Sequence, residues 1–238
     1  MIWITCARTI LALYKVILGV PLMAKPKLIS FKICPFVQRS VILLKEKNIE
    51  FDIAYIDLSN PPEWFLTLSP TGKVPVLEVE GKVLFESAII NEYLDEVNPP
   101  SLHPEDPLEK AQNRAWMEFT SPLYMAFFKI MMSKTKEVGA EVILDANKQL
   151  ETLERIKIQS PWFNGEDFSM VDISVAPLFV RLAFLKKHFS LDLLDGKSNL
   201  QAWSDKLLAR ESVVNSVVDG FDDILMMRIK GAESFLVS

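Results

Sequence analysis

Leu28-Ile29-Ser30-Phe31-Lys32-Ile33-Cys34-Pro35-Phe36-Val37-Gln38-Arg39 is the stretch on which the reading of this chain turns. It starts as a short apolar strand and runs into a cysteine where a helix begins. Cys34 stands at the N-cap, and Pro35 falls at the first helical position, where its missing N–H costs nothing and its fixed φ suits the helix. Val37, Val41 and Leu44 recur at helical spacing, which predicts a helix ending near Lys47-Asn48. A thiol in this place feels the positive end of the helix dipole and several unpaired N–H groups, and both favour thiolate. Arg39, about a turn further on, adds to that field. Most free cysteines are buried structural residues. A Cys-Pro pair between strand and helix points instead to a reactive thiol. Cys34 is therefore the expected nucleophile, with a pKa below the free-thiol value of ~8.5.

The rest of the composition narrows the function classes. Half of the 238 residues are hydrophobic and 24% are charged, a globular composition long enough for one or two domains. A net charge of −5, with no basic cluster interleaved with aromatics, gives no reason to expect nucleic acid. Two cysteines in a chain of this length exclude a disulfide framework and indicate a reducing compartment, hence cytoplasmic residence. His103 and His188 offer no metal-ligand spacing with them, so no metal is expected. None of the eight glycines forms a phosphate-binding loop.

Residues 1–24 are apolar, but Arg8 and Lys15 interrupt the run. The longest uncharged stretch, Val16 to Ala24, falls well short of the ~20 residues that a bilayer span requires. Nothing basic precedes Ile2-Trp3-Ile4, as a signal peptide would need. A weak interfacial helix is the other reading. The fold is expected to start near Met23, with residues 1–24 an extension outside it, no stable membrane insertion, and Cys6 idle.

From Lys27 the elements follow in order. Phe51, Ile53 and Tyr55 predict a second strand, Asn60-Pro61-Pro62 breaks it, and Glu63-Trp64-Phe65 opens a short helical or irregular segment. After the Ser69-Pro70-Thr71-Gly72 turn, Val74 to Val79 reads as a third strand. Glu80-Gly81 reverses it into Lys82 to Phe85, forming a hairpin. Glu86-Ser87 then opens a helix with Ile89, Ile90, Tyr93, Leu94 and Val97 inward. The order β-α-β followed by β-β-α is the thioredoxin-like arrangement, with a mixed four-stranded sheet. Asn98 to Pro107 holds four prolines and reads as a linker. Beyond it the pattern is helical: Asp106-Pro107-Leu108-Glu109 starts one helix that continues through Trp116, Phe119 and Leu123, with a kink expected at Pro122. A second runs from about Glu137 to Ile158, Ser169 with Asp172 caps a third, and Ser198 with Gln201 marks another. The expected division is 25–100 for the thioredoxin-like domain, 101–107 for the linker, and 108–238 for an all-helical domain.

With these elements in place, the sequence resembles the cytosolic glutathione transferases over nearly all of residues 27–230. The residues that carry the resemblance are Cys34-Pro35-Phe36, Gly72-Lys73-Val74-Pro75-Val76-Leu77, Phe85-Glu86-Ser87-Ala88-Ile89-Ile90 and the Ser169 to Asp172 box. None is specific alone; their order and spacing together are. The cysteine, Pro62-Glu63-Trp64 and Tyr93-Leu94-Asp95-Glu96 are most similar to the omega class and related dehydroascorbate reductases. The resemblance implies a glutathione-binding site made of Phe36, Val74, Glu86 and Ser87, a cis bond before Pro75, and a homodimer. Val74 would pair through its backbone with the cysteinyl part of glutathione; Ser87 and the helix start would take the γ-glutamyl carboxylate, and Glu86 its ammonium. Other readings are that Val74-Pro75 starts an edge strand, Ser87 is an N-cap and Glu86 a solvated acid.

Two positions depart from the omega pattern. The lysine that precedes Pro-Glu-Trp in that class is Pro61 here, with Lys73 a possible substitute. Val37 stands three after Cys34, so no resolving cysteine follows. The implied chemistry is therefore monothiol: Cys34 takes a glutathionyl group from a mixed disulfide, or serves dehydroascorbate reduction. Trp116, Phe119, Tyr124 and Met125 are candidates for an acceptor pocket between the domains; the alternative for such a stripe is plain core. Two other classes share the resemblance: non-catalytic regulators that bind RNA polymerase, and amphitropic chloride-channel-like proteins, which also have Cys-Pro-Phe followed by Gln-Arg.

Overall fold

The computed structural model describes residues 25–156 and 160–238. The extension with Cys6, and the end of the second long helix at Ile158, lie outside those residues. Four short strands build the sheet: β1 (Lys27–Ser30), β2 (Asp52–Tyr55), β3 (Val76–Val79) and β4 (Lys82–Phe85). Their spatial order is β2-β1-β3-β4, with β1 and β2 parallel and the β1/β3 and β3/β4 pairs antiparallel. The parallel pair needs a crossover, and α1 (Pro35–Glu46) supplies it. The β3–β4 hairpin turns on Glu80 and Gly81, both at positive φ (50° and 72°), as a two-residue reversal demands.

Alternation along the strands sends neighbouring side chains to opposite faces. Leu28 and Leu77 join the main core under α1 and α3 (Ser87–Glu96), whereas Ile29 and Val76 pack with Ile56 and Phe65 on the other face. Phe65 belongs to the six-residue α2 (Glu63–Leu68), which covers that face. A buried ion pair, Lys47 Nζ to Asp95 Oδ1 at 2.6 Å, fixes the end of α1 to α3. Asp95 also accepts from Ser101 Oγ (2.6 Å) and Leu102 N–H (2.9 Å), tying in the connecting segment.

The remainder is helical: α4 (Pro107–Met132), α5 (Lys136–Ile156), α6 (Met170–Phe189), α7 (Ser198–Leu208), α8 (Glu211–Val214), α9 (Phe221–Gly231) and a final 3₁₀ turn. A thioredoxin-like domain is thus followed by an all-helical one. Asp106 caps α4 by accepting from Leu108 N–H (2.9 Å) and Glu109 N–H (3.0 Å), and Pro122 lies inside that helix without ending it. At the start of α6, Asp172 accepts from Ser169 N–H (2.8 Å) and Oγ–H (2.7 Å), Phe163 N–H (2.9 Å) and Trp203 Nε1–H (2.7 Å). One carboxylate thus joins the helix start, the preceding loop and α7. From Ile173 to Leu185 α6 is almost wholly buried, and Arg181 is its sole charge. Among the described residues no helix is long and apolar enough to cross a membrane.

Candidate active site

Cys34 precedes α1 with extended backbone (φ −74°, ψ 121°), and Pro35 is the first helical residue. Its N–H donates to Phe31 O at 3.0 Å, closing the turn between β1 and α1. Cys34 is a free thiol, and its Sγ lies 4.0 Å from the carbonyl oxygen of Val74. The Val74–Pro75 bond is cis, so the two predicted landmarks, Cys-Pro and Val-Pro, face each other. Pro99–Pro100 is a second cis bond, one with no counterpart in the sequence reading.

The thiol's titration departs from the sequence expectation. Burial pushes the Cys34 pKa up; the amides of Val37 and Phe36 and the charges of Arg181 and Arg39 pull it down, without prevailing. The helix start and the guanidiniums thus act in the expected sense, but desolvation of a thiolate enclosed by apolar neighbours outweighs them.

Arg39 and Arg181 are the two buried charges of the site. Arg39 donates to Ser87 Oγ through Nε (2.8 Å) and Nη2 (2.5 Å) and to Ser174 Oγ through Nη1 (3.3 Å), crossing from α1 to α3 and α6. A serine hydroxyl has two acceptor sites and one hydrogen. Arg39 fills the acceptor side of Ser87, which leaves that hydroxyl as a donor. Arg181 donates to Ile33 O (2.7 Å), Gln38 Oε1 (2.5 Å) and Pro177 O (2.8 Å). Burial pulls its guanidinium down to about 10, so it stays charged at neutral pH. Neither arginine forms an ion pair with a carboxylate among the described residues.

Of the other expected glutathione contacts, Val74 faces the thiol directly, and Ser87 and Glu86 are linked to it through Arg39. Further along α3, Ile90 and Leu94 face the core as expected, but Ile89 and Val97, also expected inward, are exposed because their side of the helix meets no other element among the described residues. Ser87 is buried as the first residue of α3, while Glu86 before it is exposed, with φ 66° and ψ 111°. A non-glycine residue held there is strained, a feature that clusters at functional sites. Phe36 lies edge-on to Tyr124 with centroids 5.1 Å apart, and the Arg39 guanidinium carbon is 5.4 Å from its ring. Lys73 is exposed directly before Val74, and Pro61 precedes the N-cap of α2.

The acceptor-pocket candidates lie elsewhere. Tyr124 is 1% exposed beneath Phe36; its hydroxyl donates to Ser174 O, and burial raises its pKa to about 12. Trp116 packs on Phe119 (5.2 Å) and Phe163 (6.2 Å), and it lines a hollow with Leu102 and Asn113 that does not include Cys34. The hollow that does include Cys34 is walled by Phe31, Lys32, Tyr55, Arg181, Val217 and Phe221, among others. The sequence reading missed Arg181 and this C-terminal wall; a lone charge in an apolar helix was the signal for Arg181. Among the described residues no His, Cys, Asp or Glu cluster could hold a metal.

Comparison with known proteins agrees with this geometry. Residues 33–97 match the family model "Glutathione S-transferase, N-terminal domain", and residues 137–206 match "Glutathione S-transferase, C-terminal domain". Glutathione S-transferase omega-1 of Sus scrofa is 32% identical over 188 residues, 77% of each chain. The chloroplastic glutathione S-transferase DHAR3 of Arabidopsis thaliana is 33% identical over 200 residues, 83% of this chain and 74% of that one. The crystal structure of glutathione transferase Omega 3C from Trametes versicolor superposes with a TM-score of 0.73 at 30% identity, covering 87% of this chain and 95% of that one. The chain belongs to the glutathione S-transferase family, as an omega-like glutathione transferase.

Proposed function

We propose that this protein is a glutathione-dependent thiol transferase and dehydroascorbate reductase that works through a Cys34–glutathione mixed disulfide. The observation that carries the reading is the free thiol of Cys34 at the start of α1, facing the Val74–Pro75 turn. Families of tyrosine or serine type activate glutathione with a hydroxyl; here a thiol holds that place. In the transfer, Cys34 thiolate attacks the glutathione sulfur of a mixed disulfide and the partner leaves as thiolate. A second glutathione attacks the Cys34 adduct, giving glutathione disulfide and restoring the thiolate, while its proton goes to the departed thiolate. In dehydroascorbate reduction two glutathiones supply the two electrons and two protons and end as the disulfide.

Arg39 and Arg181 favour the anionic sulfur in each state. Because burial holds the pKa up, the thiolate fraction is small, but a more basic thiolate is the stronger nucleophile. Ser87, charged as a donor by Arg39, is suited to the γ-glutamyl carboxylate, Glu86 to its ammonium, and the backbone of Val74 to the cysteinyl unit. Phe36 supports the Cys34 turn from below. A homodimer is part of the proposal, supported by the exposed apolar side chains of Phe85, Ile89 and Leu108. So is residence in a reducing compartment, where Cys34 stays free. Replacing Cys34 by Ser tests the reading: turnover of 2-hydroxyethyl disulfide and dehydroascorbate should vanish while glutathione still binds. Full activity in the variant would refute it.

A further inference from the structure

The chain carries a net charge of −5, yet among the described residues no carboxylate lines the hollow beside Cys34. Its two charged lining residues are Lys32 at the rim and Arg181 inside. Beside Phe31, which lines this hollow, the exposed Arg228 of α9 holds its guanidinium carbon 5.8 Å from the Phe31 ring centroid and 5.9 Å from that of Phe128. Phe31 is the residue whose carbonyl closes the Cys34 turn, so this cation is anchored to the active-site loop. Neither Lys32 nor Arg228 has a hydrogen-bond or ion-pair partner for its charged end among the described residues. Asp57 feels the Arg228 charge but is exposed and turns its Oδ1 to the N–H and hydroxyl of Ser59. A guanidinium within reach of two ring faces is partly positioned in advance, so a ligand anion has less side-chain freedom to freeze in meeting it.

This arrangement deepens the thiol-transfer reading and rests on it. We propose that Arg228, assisted by Lys32, makes the enzyme selective for glutathione mixed disulfides whose other thiol carries a carboxylate or sulfonate. The glutathionyl part belongs on the Val74–Ser87 side of Cys34. The second thiol then falls toward Phe31, where the unpaired cations wait. In the selected reaction the Cys34–glutathione bond forms as the disulfide breaks, and the anionic thiol departs as thiolate past Arg228. A second glutathione then takes the glutathionyl group off Cys34, as in the general cycle.

Three mixed disulfides of glutathione test the proposal: those with 3-mercaptopropionate, 2-mercaptoethanol and cysteamine, which are close in size and differ in charge. Each kcat/KM is divided by the uncatalysed rate with glutathione, which removes the differing leaving-group reactivity. At low ionic strength the wild-type protein should prefer the anionic over the neutral disulfide by about fivefold, and the neutral over the cationic by a similar factor. Added salt should narrow both ratios. Arg228→Gln should bring the anionic-to-neutral ratio close to one, Arg228→Glu should reverse it, and Arg228→Lys should retain most of it. The ratio reads charge preference independently of any general loss of rate or folding. Equal wild-type ratios, or a ratio unmoved by both Arg228→Gln and Lys32→Gln, would overturn the inference while leaving thiol transfer intact. Turnover of none of the three would sink the thiol-transfer reading and this inference together.

Discussion

Arg181 Nη2 donates to the carbonyl oxygen of Ile33 at 2.7 Å, so a side chain from the middle of α6 holds the turn that ends at Cys34. The helical domain thereby braces the turn that carries the thiol. Arg181 also bears on Gln38, one turn into α1, and its guanidinium carbon lies 5.4 Å from the ring of Phe221 in the cleft wall.

Arg181→Met is therefore expected to act at two levels. It leaves Ile33 O and Gln38 Oε1 without their charged donor, and this should destabilise the protein by about 3 kcal/mol. It also removes one of the two positive charges that favour thiolate, so the Cys34 pKa should rise further. Urea unfolding reads the first effect and the pH profile of iodoacetamide labelling reads the second. A variant with an unchanged labelling midpoint would show that Arg181 only braces the domains.

The wild-type thiol itself should label with a midpoint above the free-cysteine value of ~8.5, because burial outweighs the amides and arginines in the ligand-free protein. The sign for stability follows. A thiol whose folded pKa is raised binds its proton more tightly in the folded state, so its contribution is full below the unfolded pKa. It is lost as pH rises through the folded pKa. Comparing wild type with Cys34→Ser by denaturation between pH 7 and 10 (roughly the span around a free-thiol pKa) should show the wild type losing stability faster at the alkaline end. A parallel pair of curves would contradict the upward shift.

Asp172 gathers Ser169, Phe163 and Trp203, and removing it leaves two buried N–H groups, one half-buried N–H and a helix start unserved. Asp172→Ala should cost about 4 kcal/mol and lower Tm by ~10 °C, with Asp172→Asn intermediate. Calorimetry measures this directly. A loss below about 1 kcal/mol would mean that these hydrogen bonds do not make the carboxylate a stabilising junction.

Much of this was legible in the sequence because it is local. Cys34-Pro35, Glu80-Gly81, Asp106-Pro107 and Ser169 to Asp172 each fix a turn or a helix start through their own backbone geometry, and all four occur where expected. The C-terminal helices α8 and α9 are short and carry no cap signature, so they were not delimited. The wall beside Cys34 escaped for a different reason. A 3.6-residue period shows which residues share a helix face, but not what that face meets. Trp116 and Tyr124 therefore looked equivalent, although one lines a separate hollow and the other is sealed under Phe36. The thiol's net titration was likewise hidden, since helix dipole and nearby arginine are written locally while desolvation depends on distant parts of the chain, such as Val217, Val218 and Phe221, that line the hollow with Cys34.

The central claim is that Cys34 carries the glutathionyl group, and the most direct measurement is mass spectrometry of the full chain after incubation with glutathione disulfide, followed by peptide mapping. The account predicts one glutathionyl group on Cys34, released by reduced glutathione at a rate no slower than turnover, and no adduct at that position in Cys34→Ser, which should also lack thiol transfer. An unmodified Cys34 in protein that is turning over a mixed disulfide would contradict the account.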